Sequence, residues 1–418
     1  WLSNVTSNLV DLDLRGNLLA TIGNLSQLQH LDLSDNQFEG NIPDLSVFSS
    51  LKTLDLSFNQ LSGKIPEDIR LPSHLESLSI GSNSLEGGIP KSFGNSCALS
   101  SLDMSYNNLN IELSVIIHQL SGCARFSLQE FNLARNQING TLPDLSIFYA
   151  LKTLDLSANQ LNGKIPENNK LPSLLESLSI GSNILEGGIP KSFGNACALR
   201  SLNMNKNSLS EEFPMIIHHL SGCARYSLET LHLSMNQING TLPDLSIFSS
   251  LKELYLSGNK LNGEIPKDIK FPPQLERLDM SSNSLKGVLN DYHFANMSKL
   301  DFLELSDNSL LALAFSQNWV PPFQLSSIGL RSCKLGPVFP KWLETQNQFK
   351  EIDISNVGIE DMVPRWFWAK LAIREWISMN ISYNNLHGII PNFQQKNHYY
   401  SLILGSNQFH GPIPPFHR

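Results

Sequence analysis

Apolar residues recur along the chain as L-x-x-L-x-L-x-x-N. The closing Asn falls at 17, 36, 59, 83, 107, 136, 159, 183, 207, 236, 259, 283, 308, 384 and 407, with Cys333 and Val357 in the same slot of two further repeats. That makes 17 repeats, spaced by about 24.7 residues between Asn36 and Asn407. In L-x-L, alternate side chains leave opposite faces of a short strand, so Leu54 and Leu56 point inward and Asp55 outward. One such strand cannot bury its apolar face alone, whereas stacked coils bury it continuously. The pattern predicts one leucine-rich-repeat solenoid over 1–418, β-dominated within the α/β class. It would be a right-handed curved superhelix with a parallel concave β-sheet and short 3-10 or irregular convex segments. The recurrent Asn is expected to satisfy backbone groups of the adjoining turn that burial would leave unpaired. Cys333 reads as a small structural substitute for it. Many repeats continue L-x-G-x-I-P, as in Leu61 to Pro66, where Gly permits a turn and Pro stops further pairing.

A longer period lies above the first. Residues 39–138 and 139–238 align without a gap and differ at 32 of 100 positions, and a third copy decays after about 285. This is a tandem duplication of four coils. The longest coil of each copy carries the insert Leu120 to Arg125, repeated at Leu220 to Arg225. Cys97 and Cys123, like Cys197 and Cys223, stand 26 residues apart, about one coil. Residues one coil apart stack, so disulfides are feasible for both pairs. The fifth cysteine, Cys333, is left over.

Composition narrows the function. The net charge is −8 with no long basic run, which argues against a nucleic-acid surface. No apolar run approaches the roughly 18 residues that span a bilayer. Six sequons, at Asn4, Asn24, Asn139, Asn239, Asn296 and Asn380, favour a secretory-pathway glycoprotein. No G-x-S-x-G elbow, P-loop, H-E-x-x-H or kinase signature occurs. His218-His219 reads as a surface pair, not a metal site. The outward Asp residues Asp13, Asp32, Asp55, Asp103, Asp155, Asp279 and Asp353 read as solvated groups that keep the face soluble, not as catalytic carboxylates. The chain is therefore expected to bind and not to catalyse, with no cofactor and no metal.

The L-x-G-x-I-P signature resembles the plant-specific class of leucine-rich repeats. Leu330 to Pro337 with Phe339-Pro340-Lys341-Trp342-Leu343, and Ile352 to Asn356 with Val363 to Trp368, resemble plant receptor-like proteins related to the fungal-xylanase-sensing receptors. That resemblance implies a parent protein with a signal peptide, cysteine-bearing caps, a long extracellular repeat domain, one membrane span and no kinase. It would sit at the plasma membrane and signal in defence through partner receptor kinases. The implied ligand is a peptide, protein or glycan. A soluble leucine-rich-repeat inhibitor of pathogen cell-wall hydrolases, or a decayed non-signalling paralogue, are the alternatives. The chain starts and stops inside repeats, so it is expected to be an uncapped internal fragment or a truncated gene model that frays from both ends.

The duplication also points to a ligand patch. If positions 2, 3, 5, 7 and 8 of the repeat form the concave face or its rim, ten of these 20 positions differ between copies, and nine of the ten lie in the third and fourth coils. The contrast nominates Tyr106, Arg135, Lys206, His232 and Met235, with Tyr255 beyond, residue types that commonly anchor interfaces.

Overall fold

The computed structural model describes residues 11–13, 27–42, 45–46, 48–372, 376–392 and 399–414. Asn4 and Asn24 lie outside the described residues. Two compact units emerge, one of Trp1–Leu209 with Gly222–Ala224, the other of Ser210–Ser221 with Arg225–Arg418. Both are leucine-rich-repeat solenoids, mostly β with few helices.

In the first unit each L-x-L becomes a three-residue strand, from Asp11–Asp13 and His30–Asp32 to Ser201–Asn203. The strands are parallel and strictly in register, so Leu31, Leu54, Leu78, Leu102, Phe131, Leu154, Leu178 and Leu202 form one inward column. In the second unit the column runs Leu231, Leu254, Leu278, Leu303, Ile328, Ile352, Met379, Leu402. These residues are buried except Leu402, half-exposed at the end of the column. On the opposite side of the core, rings fill the coils: Phe93, Phe148 and Phe193 in the first unit, Phe248, Phe294, Phe349 and Phe367 in the second, all completely buried.

Between these layers runs the asparagine ladder. Asn159 Nδ2 donates to Leu133 O of the preceding coil (2.9 Å) and to its own Leu156 O (3.1 Å) and Ser157 O (3.3 Å), while its Oδ1 accepts Ile138 N–H (3.0 Å). Three carbonyls and one N–H of two neighbouring coils are thereby tied to one side chain. Cys333 keeps one of these bonds, from Sγ to Leu305 O at 3.2 Å. Burial pushes its thiol from the ordinary 9.0 up to about 12. The thiolate being the nucleophile, we expect iodoacetamide to leave native Cys333 unmodified at pH 8 and to label it fully in denaturant; stoichiometric labelling of the folded chain, read by mass spectrometry, would contradict this. Because the folded value lies above the unfolded one, this thiol's contribution is complete below pH 9 and is lost as pH rises from 9 towards 12.

Two features depart from the sequence expectation. The stretch after the Asn is a second strand as well as a turn. Gln60–Lys64 pairs in parallel with Glu39–Gly40 and with Ser84–Gly87, and Lys286–Asn290 with Leu310–Ala314. The Pro of G-x-I-P comes after this pairing and does not prevent it. The residue before the Asn is also left-handed: Phe58, Tyr106, Arg135, Lys206, Met235 and Tyr383 all have φ between 49° and 57°. Such a backbone costs an L-residue roughly 1–2 kcal/mol. The coil accepts that cost because the same residue's N–H reaches the next coil, as Phe58 N to Gly81 O (3.0 Å).

Candidate ligand-binding face

The side chains that leave the strand face are those at positions 3, 5 and 8 of the repeat. Position 7 is mostly closed: Ser57, Ser105, Ala134, Ser234, Ser306 and Ser355 are buried. Ser105 and Ala134, counted as rim positions in the comparison between copies, are therefore unavailable to a ligand.

The position-5 acids are not free solvated groups. Asp55 Oδ1 accepts both the N–H (2.8 Å) and the hydroxyl (2.6 Å) of Ser57. Asp32, Asp103, Asp155, Asp279 and Asp353 accept the N–H two residues on in the same way. This local side-chain to backbone turn is what Asp and Asn do readily. It fixes the exit of the strand, and a solubility role alone does not account for it. Asp13's side chain lies outside the described residues.

The nominated patch falls on both units. In the first, the Arg135 guanidinium lies 4.8 Å from the centroid of the exposed Tyr106 ring, a cation–π distance. Lys206 occupies the same slot further along, with Ala158 and Ser182 in the slots between. In the second, the His232 and Tyr255 rings meet at 4.9 Å. Met235 is 55% exposed and abuts Gly258, where a Cβ would lie 3.5 Å from Met235 Cγ.

The comparison between copies spans 39–138 and 139–238 alone, so it misses the contacts beyond Tyr255. Arg277 Nε donates to Tyr255 Oη at 2.9 Å, and the same hydroxyl donates to Glu253 Oε2 at 3.4 Å. The Arg277 guanidinium then covers the Phe302 ring at 4.4 Å. Burial, then Glu253, raise the Tyr255 hydroxyl above its ordinary value against the pull of Arg277. Beside this row, position 5 runs Tyr255, Asp279, Glu304, Gly329, Asp353 in register. Burial is the main cause raising the Glu304 carboxyl, opposed by its bonds from Ser306 and assisted by Asp279 and Asp353. Gly329 makes room for it, since a Cβ there would lie 1.8 Å from Glu304 Oε2. The sequence signal for the row is Phe302, an apolar ring in an outward slot.

Among the described residues no group of three or more His, Cys, Asp or Glu could hold a metal, and no helix is long and apolar enough to cross a membrane. The His218 and His219 rings lie 6.0 Å apart, with His219 Nδ1 3.5 Å from Glu211.

Cys97 is bonded to Cys123 and Cys197 to Cys223, each across 26 residues. Of the described sequons, Asn139 and Asn239 lie on second-sheet strands, with Nδ2 near Asn110 Oδ1 (3.3 Å) and Ser210 O (3.2 Å) respectively. Asn296 is exposed. Asn380 stands on the strand face, its Nδ2 donating to Asp353 Oδ2 (3.2 Å) and Ser355 Oγ (3.3 Å). A glycan there would replace one of the two Nδ2 hydrogens and so cost at least one of these bonds.

Comparison with known proteins agrees with the repeat. Leucine-rich-repeat family models match residues 26–73, 74–96, 150–170, 174–196, 227–246 and 250–271. The chain is 45% identical over 130 residues to receptor-like protein EIX2 and 43% identical over 134 residues to receptor-like protein EIX1, both of Solanum lycopersicum. Each match covers 31% of this chain and 12% of the relative. Receptor like protein 27 of Arabidopsis thaliana is 32% identical over 143 residues, 34% of this chain and 17% of the relative. The chain thus spans a small part of these relatives. Among solved structures, the complex PEPR1–AtPEP1 superposes with a TM-score of 0.63 at 29% identity, over 94% of this chain and 60% of that one. The plant peptide hormone receptor RGFR1 in complex with RGF2 gives 0.67 at 24% identity, over 98% and 76%, and speaks to the fold alone. The repeats, the solenoid and these relatives together show a leucine-rich-repeat solenoid that is similar to part of the plant receptor-like proteins.

Proposed function

We propose that the chain is an extracellular recognition module, part of a single-pass plant cell-surface receptor-like protein. It binds a peptide, protein or glycan through its strand face and acts with partner receptor kinases in defence signalling. It is a binding module and not an enzyme, and needs no cofactor. The observation that carries this reading is the Tyr255–Arg277–Phe302 row. Two rings and a guanidinium, held by hydrogen bond and stacking, are presented outward on rigid strands. Such rigid aromatic and Arg anchors dominate interface energies. Tyr106 with Arg135 and Lys206 on the first unit, and His232 with Met235 on the second, are further candidate contacts. The likeness to the PEPR1–AtPEP1 complex and to the tomato and Arabidopsis receptor-like proteins supports the same reading.

The test is a screen of the secreted chain against synthetic peptides and fungal and plant cell-wall oligosaccharides. A saturable ligand is expected, and Tyr255→Ala or Arg277→Ala should each weaken it by about tenfold or more, the effect of losing an anchor. Lys52→Ala and Lys152→Ala, in coils whose outward positions differ between the copies only at Phe58 and Ala158, serve as controls. No saturable ligand, or one that binds both anchor variants as it binds the parent, counts against the strand face as the reading surface.

A further inference from the structure

Two aromatic rings stand on the surface of the first unit where the two copies of the duplication meet. Phe126 closes the short helix Cys123–Phe126 at the end of the first copy, and Tyr149 precedes the strand Thr153–Asp155 early in the second. Both occupy one slot, two residues before the first Leu of the repeat, Leu128 and Leu151. Stacking of the coils therefore brings them together. Their rings lie parallel to within 6° with centroids 5.2 Å apart, and each residue is 56% exposed. Tyr149 N–H donates to Arg125 O at 2.9 Å, which ties the two coils beside the rings.

Exposed apolar area gathered in one place marks interaction sites, and Arg125 makes this one selective. Its guanidinium carbon lies 4.6 Å from the Phe126 centroid, a cation–π distance. Arg125 Nε is buried without a partner, whereas the two terminal nitrogens reach solvent. No carboxylate pairs with them among the described residues. The matching junction between the second copy and the third, in the second unit, provides a contrast. Arg225 lies over the exposed Tyr226 ring at the same 4.6 Å, but its Nη2 donates to the Tyr226 hydroxyl, and Ser249 holds the slot of Tyr149. There the cation is engaged by its own ring and the second ring is missing. At Phe126 no hydroxyl engages the cation, and the ring surface is doubled.

We propose that the Arg125–Phe126–Tyr149 platform binds an acidic oligosaccharide, a chain of hexuronate residues. The C–H face of one pyranose lies against the exposed ring surface, whose electron-rich faces attract weakly positive C–H groups. A carboxylate of the chain accepts hydrogen bonds from the terminal nitrogens of Arg125, the pairing a guanidinium fork favours. A neutral sugar lacks the second contact and an acidic peptide lacks the flat C–H face, so the two features together select an acidic glycan. The platform lies ahead of the strands and not on their outward face, so its ligand is independent of the one read by Tyr255, Arg277 and Phe302.

The probe is trigalacturonate, measured by titration calorimetry on the full chain. Cellotriose serves as the neutral sugar and triglutamate as the anion without a pyranose. We expect one saturable trigalacturonate site and binding of both controls weaker by about tenfold or more. The test variants come from the chain itself. Tyr149→Ser copies Ser49 and Ser249, and Phe126→Tyr copies Tyr226, so each asks its coil for a side chain that the matching coil already accepts. Tyr149→Ser removes half of the ring surface, and Phe126→Tyr offers the guanidinium a hydroxyl. Each should weaken trigalacturonate about tenfold, while Tyr226→Ala at the other junction should leave it unchanged. Absence of saturable binding, a control bound as tightly as trigalacturonate, either platform variant at the parental affinity, or loss of binding in Tyr226→Ala would each overturn the proposal. None of these outcomes bears on the strand face, which Tyr255→Ala and Arg277→Ala read separately.

Discussion

Replacing Asn308 by Ala should lower the stability of its coil by about 4 kcal/mol. Asn308 is completely buried. Its Nδ2 donates to Met280 O (3.0 Å), Leu305 O (2.8 Å) and Ser306 O (3.5 Å), and its Oδ1 accepts Leu285 N–H (3.1 Å). Truncation strands several backbone groups at once, and each unsatisfied buried group costs about 1–3 kcal/mol. Their close spacing keeps the total below the simple sum. The next coil provides an internal control, because Cys333 holds the same slot with fewer bonds, its thiol donating to Leu305 O and lying by the Asn308 backbone N–H. Asn308→Cys should therefore lose roughly half as much as Asn308→Ala. Coils of a solenoid unfold by neighbours, so a single global free energy is not the quantity to read. Hydrogen exchange of Leu285 and of the strand Phe302–Glu304 reports the local loss. If both variants cost under about 1 kcal/mol, the leucine column and not the ladder holds the coils in register.

That ladder is legible in the sequence because it repeats: a polar residue at a fixed place after two inward leucines must find partners or not be buried. The strands and their register come from the same pattern. The features that escape are local and backbone-determined. Nothing in the spelling of Tyr106, Arg135 or Met235 shows that the slot before the Asn is left-handed, since residues of every type occupy it. The Asp slot advertises its charge and hides its turn bond, although Ser two residues on, as in Asp55 and Ser57, is a hint of it. The second-sheet strands are obscured when G-x-I-P is taken as a stop, because the pairing residues precede the Pro. The Tyr255–Arg277–Phe302 row lies outside the two full copies, 39–138 and 139–238, whose differences nominated the patch.

Glycines near the disulfides carry the second large effect, and their spelling gives no sign of it. Gly122 caps the short helix Cys123–Phe126 with φ −74° and ψ −138°, and the space around it is as tight as its backbone is unusual. A Cβ on Gly122 would lie 2.5 Å from Gly94 O, and one on Gly94 would lie 2.0 Å from Gln119 O. The insert coil therefore touches the preceding coil backbone to backbone, and the Cys97–Cys123 bond sits beside that contact. The second copy repeats it, with a Cβ on Gly222 falling 2.3 Å from Gly194 O beside Cys197–Cys223. Gly122→Ala must push two backbones apart, because no rotamer relieves the clash. Overpacking costs about 1–3 kcal/mol, more where backbone must move, so we expect a loss of about 3 kcal/mol. Removing the bridge by Cys97→Ser with Cys123→Ser should cost a similar amount, about 3 kcal/mol for a loop of this order. Both changes loosen one contact, so the combined variant should lose clearly less than the two losses added. Urea unfolding of the four proteins, with the rate of Cys97–Cys123 reduction by dithiothreitol, checks both points. The Ala variant should reduce faster than the parent. Full additivity, or reduction at the parent rate in Gly122→Ala, would show that the glycine contact and the disulfide hold the insert coil independently.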